Sequence, residues 1–249
     1  MSSSPPSNQT AQPRPAHRSF LHHAKVIGAL TLVSRVLGLM RESFAARHFG
    51  AGLVWSAFTV AFTVPNLFRR LLGEGALSAA FIPLYSQALK DQDRESAARF
   101  ASTSVNLLLS ILIGITVVGE MALLAIGLSW NLRPDRLLAL RLTAVMLPYV
   151  LLVCAMAFLS GILQVHRRFA APAATPIILN LVLILGIVQA GRSFDLSTPE
   201  GQEKGVFLLA AAVLAAGVIQ VAVLAPPLYA AGFRFRLTFG FRSPAIRRM

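Results

Sequence analysis

"VSRVLGLMRE", residues 33–42, lies inside an apolar run long enough to cross a bilayer, yet it carries Arg35, Arg41 and Glu42. A charged side chain at the centre of a membrane costs at least about 2.5–3.5 kcal/mol and normally faces the interior of a bundle or a water-filled cavity. The stretch therefore predicts a membrane helix with one face turned toward something polar. At about 1.5 Å per residue, Arg35 and Arg41 stand about 9 Å apart along such a helix and about 120° apart around it. They do not share a stripe, although both can reach a wide cavity. Ser34, Gly38 and Arg41 do share one, to within about 40–60°. The two small residues leave room beside Arg41 for a partner helix or a ligand.

Composition sets the class. Of 249 residues, 55% are hydrophobic and 13% charged, against about 25% charged in a soluble domain, and the mean hydropathy is +0.66. This is an all-α integral membrane protein. The net charge of +13 would suggest nucleic acid in a soluble chain, but the basic residues flank apolar runs and no nucleic-acid motif is present, so the positive-inside rule accounts for them. The one cysteine, Cys154, sits in an apolar run as a small core residue and excludes an internal disulfide.

Residues 1–23 read as a disordered polar tail, rich in Pro and Ser over the first 19. Six spans are expected over 24–230, at about 24–47, 53–89, 100–128, 137–164, 173–190 and 206–230, followed by a basic segment at 231–249. Lys and Arg outside the spans gather mainly at 14–25, 90–99, 167–168 and 234–248, which places both ends in the cytoplasm. The second span contains "VPNLFRRLLGEG". Pro65 removes a backbone donor and Gly73 and Gly75 weaken the helix, so a kinked or broken span is expected. Arg69, Arg70 and Glu74 fall in this same piece, with Arg70 and Glu74 spaced to pair. Irregular backbone at membrane depth is tolerated where it is buried or lines a hydrated cavity, which agrees with the need of the arginines. A cavity lined by guanidinium groups suits an anionic or phosphorylated ligand.

No other chemistry stands out. Walker, metalloprotease, serine-hydrolase and dinucleotide fingerprints are absent, no metal set or cofactor is expected, and no nucleophile–base pair suggests an enzyme. The isolated amides Asn106, Asn180, Gln164, Gln189 and Gln220 are expected to bond between helices or to lie near the interfaces.

"SRVLGLMRE" (34–42), "FGAG" (49–52), "AFTVPNLFRRLLGEGALSAAFIPLYS" (61–86) and "LPYVLL" (147–152) resemble the MurJ/MviN family of lipid II flippases. The resemblance implies the six-helix N-terminal lobe of a MATE-like fold in the multidrug/oligosaccharidyl-lipid/polysaccharide exporter superfamily. It implies alternating-access transport of lipid II, the undecaprenyl-pyrophosphate-linked peptidoglycan precursor, across the bacterial cytoplasmic membrane, without a cofactor. Its functional positions fall on Ser34, Arg35, Gly38, Arg41, Arg69 and Glu74, with Arg70, Glu42 and Ser56 beside them. Ser56 and Thr63 stand where the family commonly has an aspartate and a lysine. The resemblance also implies partners: lipid II, membrane lipids, and a C-terminal lobe or second chain that this sequence lacks. An exporter of another polyprenyl-linked glycan or small molecule, and a non-transporting scaffold, are the alternatives.

Overall fold

The computed structural model describes the backbone of residues 15–73, 76–91 and 94–233. Among them every regular element is helical: α1 (Pro15–Phe49), α2 (Leu53–Phe68), a π-helical turn (Arg69–Gly73), α3 (Ala76–Asp91), α4 (Arg94–Ser129), α5 (Pro134–Met146), α6 (Tyr149–Val165), α7 (Ala170–Ser193) and α8 (Pro199–Ala230). α1 starts at Pro15, inside the stretch expected to be a tail. Proline is well suited to the first helical position because its missing N–H would have no partner there. Residues 1–14 and 234–249, which hold the rest of that tail and most of the basic end, lie outside the described residues, as does Glu74.

Helix ends follow the glycines where the backbone demands them. α1 stops at Gly50, with φ +64°, and α8 stops at Gly232, with φ +83°. Beyond α8 the N–H of Phe233 returns to the Leu228 carbonyl at 3.0 Å, a Schellman closure that buries the Phe233 ring.

α4, α7 and α8 are each long and apolar enough to cross a membrane, and α5 and α6 pass that test together across a 45° bend. Pro148 lies at the bend and cannot donate to the preceding turn. Neither α1 nor the α2–α3 path passes by itself. α1 carries Arg35, Arg41 and Glu42, while α2 and α3 have 16 residues each, short of the roughly 20 that a span needs. The features that draw attention to these two segments are those that lower their apolar length.

α1 lies along α7, α7 along α8, α2 along α5, and α6 against α8, α4 and the π turn. Two rows of rings tie the layers together. Phe49, Trp55, Phe58, Phe62 and Tyr149 stack in sequence from the end of α1 through α2 to α6, with centroids 5.1–6.5 Å apart. Phe81 of α3 meets Phe100 of α4 at 5.8 Å and Phe158 of α6 at 4.2 Å.

Glycine sets the closest approach of α6 and α8. A Cβ on Gly217 would stand 2.7 and 2.8 Å from ring carbons of Tyr149. That ring is 1% exposed and is held by its stack on Phe62 and by the hydrogen bond its hydroxyl donates to Gln220 Oε1 at 3.3 Å. Gly217→Ala should therefore push the helices apart and cost about 1–3 kcal/mol. A lower thermal unfolding midpoint in detergent is the expected reading, and an unchanged midpoint would contradict it.

Candidate functional site

Arg41 sits where α1 lies on α7, and it is part-buried. Its Nη1 donates to Asn180 Oδ1 at 3.1 Å, and its Nη2 contacts the exposed Glu42 carboxylate. Asn180, only 7% exposed, also donates from Nδ2 to the Ser34 carbonyl at 3.1 Å. Gly38 lies between these attachment points. A Cβ there would meet Asn180 Nδ2 at 3.8 Å, so the bare backbone at 38 makes the seat for the amide. Ser34, Gly38 and Arg41 thus form one stripe as their spacing predicts, and what covers the stripe is α7.

Arg41 and Glu42 line a pocket of about 80 Å³ with Trp55, Thr59 and Phe62 of α2 and Leu183 and Ile187 of α7. From there a polar stripe runs along α2. Ser56, Thr59 and Thr63 are exposed, and their hydroxyls donate to the carbonyls of Gly52, Trp55 and Thr59 at 2.8–3.0 Å. Each hydroxyl satisfies itself on its own helix, so the stripe offers oxygen lone pairs and no charge.

Arg69 belongs to a second pocket, of about 450 Å³, lined by residues of the π turn, α2, α3, α6, α7 and α8. Its polar lining includes Asn66, Tyr149, Ser160, Gln164, Thr175 and Gln220. Gln220 joins three helices here, accepting from Tyr149 and donating to the Thr175 carbonyl at 2.7 Å. The Thr175 hydroxyl donates to the Pro172 carbonyl at 2.8 Å, the acceptor that Pro176 cannot reach four residues later.

The described residues place the four arginines of the first two expected spans in different surroundings. Arg41 and Arg69 line different pockets, and Arg35 and Arg70 are exposed. Arg35 lies about 120° around α1 from Arg41. Leu39, one turn further on and on the same face, is exposed as well. The expected Arg70–Glu74 pair cannot be placed, because Glu74 lies outside the described residues. Among the described residues no three His, Cys, Asp or Glu side chains gather as metal ligands would. The sequence marked Asn180 and Gln220 only as amides in apolar runs. Which groups they join became visible with the helix pairing.

A family model described as "Lipid II flippase MurJ" matches residues 45–249, a range that includes Arg69 but begins after Arg41. The "Probable lipid II flippase MurJ" of Rhizobium tropici is 35% identical over 232 residues, which is 90% of this chain and 42% of that protein. The "Lipid II flippase MurJ" of Burkholderia cenocepacia is 34% identical over 81% of this chain and 39% of its own length. A solved structure titled "Lipid II flippase MurJ, inward closed conformation" matches 89% of this chain and 45% of that one with a TM-score of 0.70 at 23% identity, a likeness of fold. The chain thus spans about 42% of the length of the first of these relatives.

Proposed function

This chain belongs to the MurJ family of lipid II flippases, and from that premise we propose that it forms one lobe of a transporter carrying lipid II from the inner to the outer leaflet of the bacterial cytoplasmic membrane. In this reading six spans cross the membrane with both ends in the cytoplasm. The pyrophosphate and sugar head group is held by Arg41, with Arg35 and Arg69 contributing, and the polyprenyl tail stays among the lipids.

The observation that carries the reading is the guanidinium of Arg41, held by a neutral amide where α1 lies on α7. A basic group of that kind at membrane depth is retained for a ligand or a pathway, and a planar guanidinium matches two phosphate oxygens at once. Arg35 supports a partner lobe. It is exposed on the face that also bears the exposed Leu39, where bare hydrocarbon would be costly. A second lobe or an aqueous cleft against that face of α1 removes the cost.

The test is binding of undecaprenyl pyrophosphate by the chain in nanodiscs of neutral lipid, with undecaprenyl phosphate and a drug-like cation as comparisons. Saturable binding that prefers the pyrophosphate is expected. Equal binding of all three would overturn the substrate assignment.

Glu42 competes with an incoming anion, because its carboxylate already contacts Arg41. Glu42→Gln removes that charge while keeping the shape. The pyrophosphate affinity should rise about three- to tenfold, in proportion to the roughly 1 kcal/mol expected of a solvent-exposed pair. A fall in affinity would instead make Glu42 part of the site.

A further inference from the structure

We infer that Asn180 is a positioning residue for Arg41, holding its guanidinium open to an anion by a contact that does not neutralise it. The inference rests on the reading of Arg41 as a head-group ligand and names the residue that makes Arg41 competent.

The geometry is specific. One side-chain amide spans two turns of α1, with Nδ2 on the Ser34 carbonyl at 3.1 Å and Oδ1 on Arg41 Nη1 at 3.1 Å. Those two bonds fix which atom of the amide is the donor and which the acceptor, so Asn180 has one orientation. The backbone seat at Gly38 lets the amide lie against α1. Asn180 itself is 7% exposed, on the buried side of α7.

An arginine side chain has several rotatable bonds, and an unheld guanidinium at membrane depth snorkels toward the nearest water. A carboxylate in place of Asn180 would hold it equally well but would cancel the charge that attracts the ligand. An aliphatic residue would leave it unheld. The amide is the choice that restrains one N–H and leaves the positive charge intact. Glu42 is the complementary element. It is exposed and on the adjacent residue, so it can be displaced by an anion while Asn180 keeps the guanidinium in place. Arg41 has five N–H donors, and the bond to Asn180 occupies one of them.

The experiment uses the full chain in neutral-lipid nanodiscs with Trp130→Phe as background. Trp55, which lines the same pocket as Arg41, is then the only tryptophan, and its emission reports titration with undecaprenyl pyrophosphate. Asn180→Leu should weaken binding about tenfold or more. In a double-mutant cycle with Arg41→Ala its effect should vanish, because a residue that acts through Arg41 has nothing left to position. Equal loss with and without Arg41 would make Asn180 a packing residue only and overturn the inference. Asn180→Asp keeps the size and the acceptor. It should weaken binding comparably, with a lower unfolding midpoint from the lost bond to the Ser34 carbonyl, and unchanged affinity would also overturn the inference. It carries the test if Asn180→Leu does not fold. If the parent chain binds no pyrophosphate, the reading of Arg41 as head-group ligand falls, and this inference with it. If Arg41→Ala abolishes binding but neither Asn180 variant affects it, the reading stands and the inference alone is lost.

Discussion

Arg41→Ala is expected to weaken binding of undecaprenyl pyrophosphate about 100-fold, the largest functional effect of any single change in this chain. Hydrogen bonds to charged groups contribute about 1.5–3 kcal/mol each, and a guanidinium can place two of them on one phosphate. At 1.4 kcal/mol per factor of ten, a bidentate contact accounts for the loss. The change does more than delete two donors. It leaves Asn180 Oδ1 without the Nη1 it accepts from, and Glu42 without its cation, so a site that attracted an anion becomes one that repels it. Arg41→Lys separates the two contributions. It keeps the charge but has no planar fork and cannot reproduce the contact with Asn180, and an intermediate loss of about tenfold is expected. Binding within twofold of the parent in Arg41→Ala would remove Arg41 from the site. Binding by the lysine variant equal to the parent would show that charge alone is recognised. The measurement is the Trp55 titration, with unfolding midpoints as the control for folding.

The sequence was most legible where the argument stayed on one helix. Spacing alone put Ser34, Gly38 and Arg41 on one stripe and set Arg35 apart from it. The first span was expected to end near residue 47, and α1 does end close by, where Gly50 takes the left-handed conformation. The long apolar runs of α4, α7 and α8 are membrane-length helices. What periodicity could not supply was the neighbour. Arg41 and Asn180 are 139 residues apart, and nothing in either local pattern says that α1 lies on α7 rather than on the adjoining α2. Single amides in apolar runs were the only trace of the contacts that join helices, and their partners include backbone carbonyls of Ser34 and Thr175, which no side-chain pattern reveals. The same limit applies to the arginines. Arg41 and Arg69 were legible as cations in apolar segments, but the pocket that each one lines, the smaller for Arg41 and the larger for Arg69, depends on helix order in space.

Gly201→Ala should be the most destabilising small substitution in the described part of the chain, and the sign of its effect is the informative part. In an ordinary helix interior alanine is favoured over glycine by about 1 kcal/mol. Gly114 of α4 is such a position, since a Cβ there would meet nothing within 4 Å, and Gly114→Ala should leave stability unchanged or raised. Gly201 lies in the first turn of α8, three residues after Thr198, whose hydroxyl caps the helix by accepting from the Gly201 N–H at 3.1 Å. The loop from α7 folds directly over this turn. Ser197 donates its hydroxyl to Asp195 Oδ1 at 2.6 Å and its N–H to the same oxygen at 3.1 Å, which holds the Asp195 carboxyl below the usual carboxylate range. The Asp195 carbonyl accepts from the Thr198 hydroxyl at 2.8 Å. A Cβ on residue 201 would fall 1.9 Å from that carbonyl oxygen and 2.9 Å from Thr198 Oγ1. The obstacle is backbone, which cannot swing aside as a side-chain end can. Relief requires the loop to lift, which costs about 1–3 kcal/mol as overpacking and about 1 kcal/mol more if the Thr198 cap is lost. After the gain in helix propensity, a net loss of about 1–3 kcal/mol remains. Thr198→Val, which removes the cap without adding bulk at 201, should lower the midpoint by only the cap's share. If Gly201→Ala is as stable as the parent, the loop does not close on α8 as described, and the contact of Leu196 with Gly205 one turn further on would have to be redrawn with it.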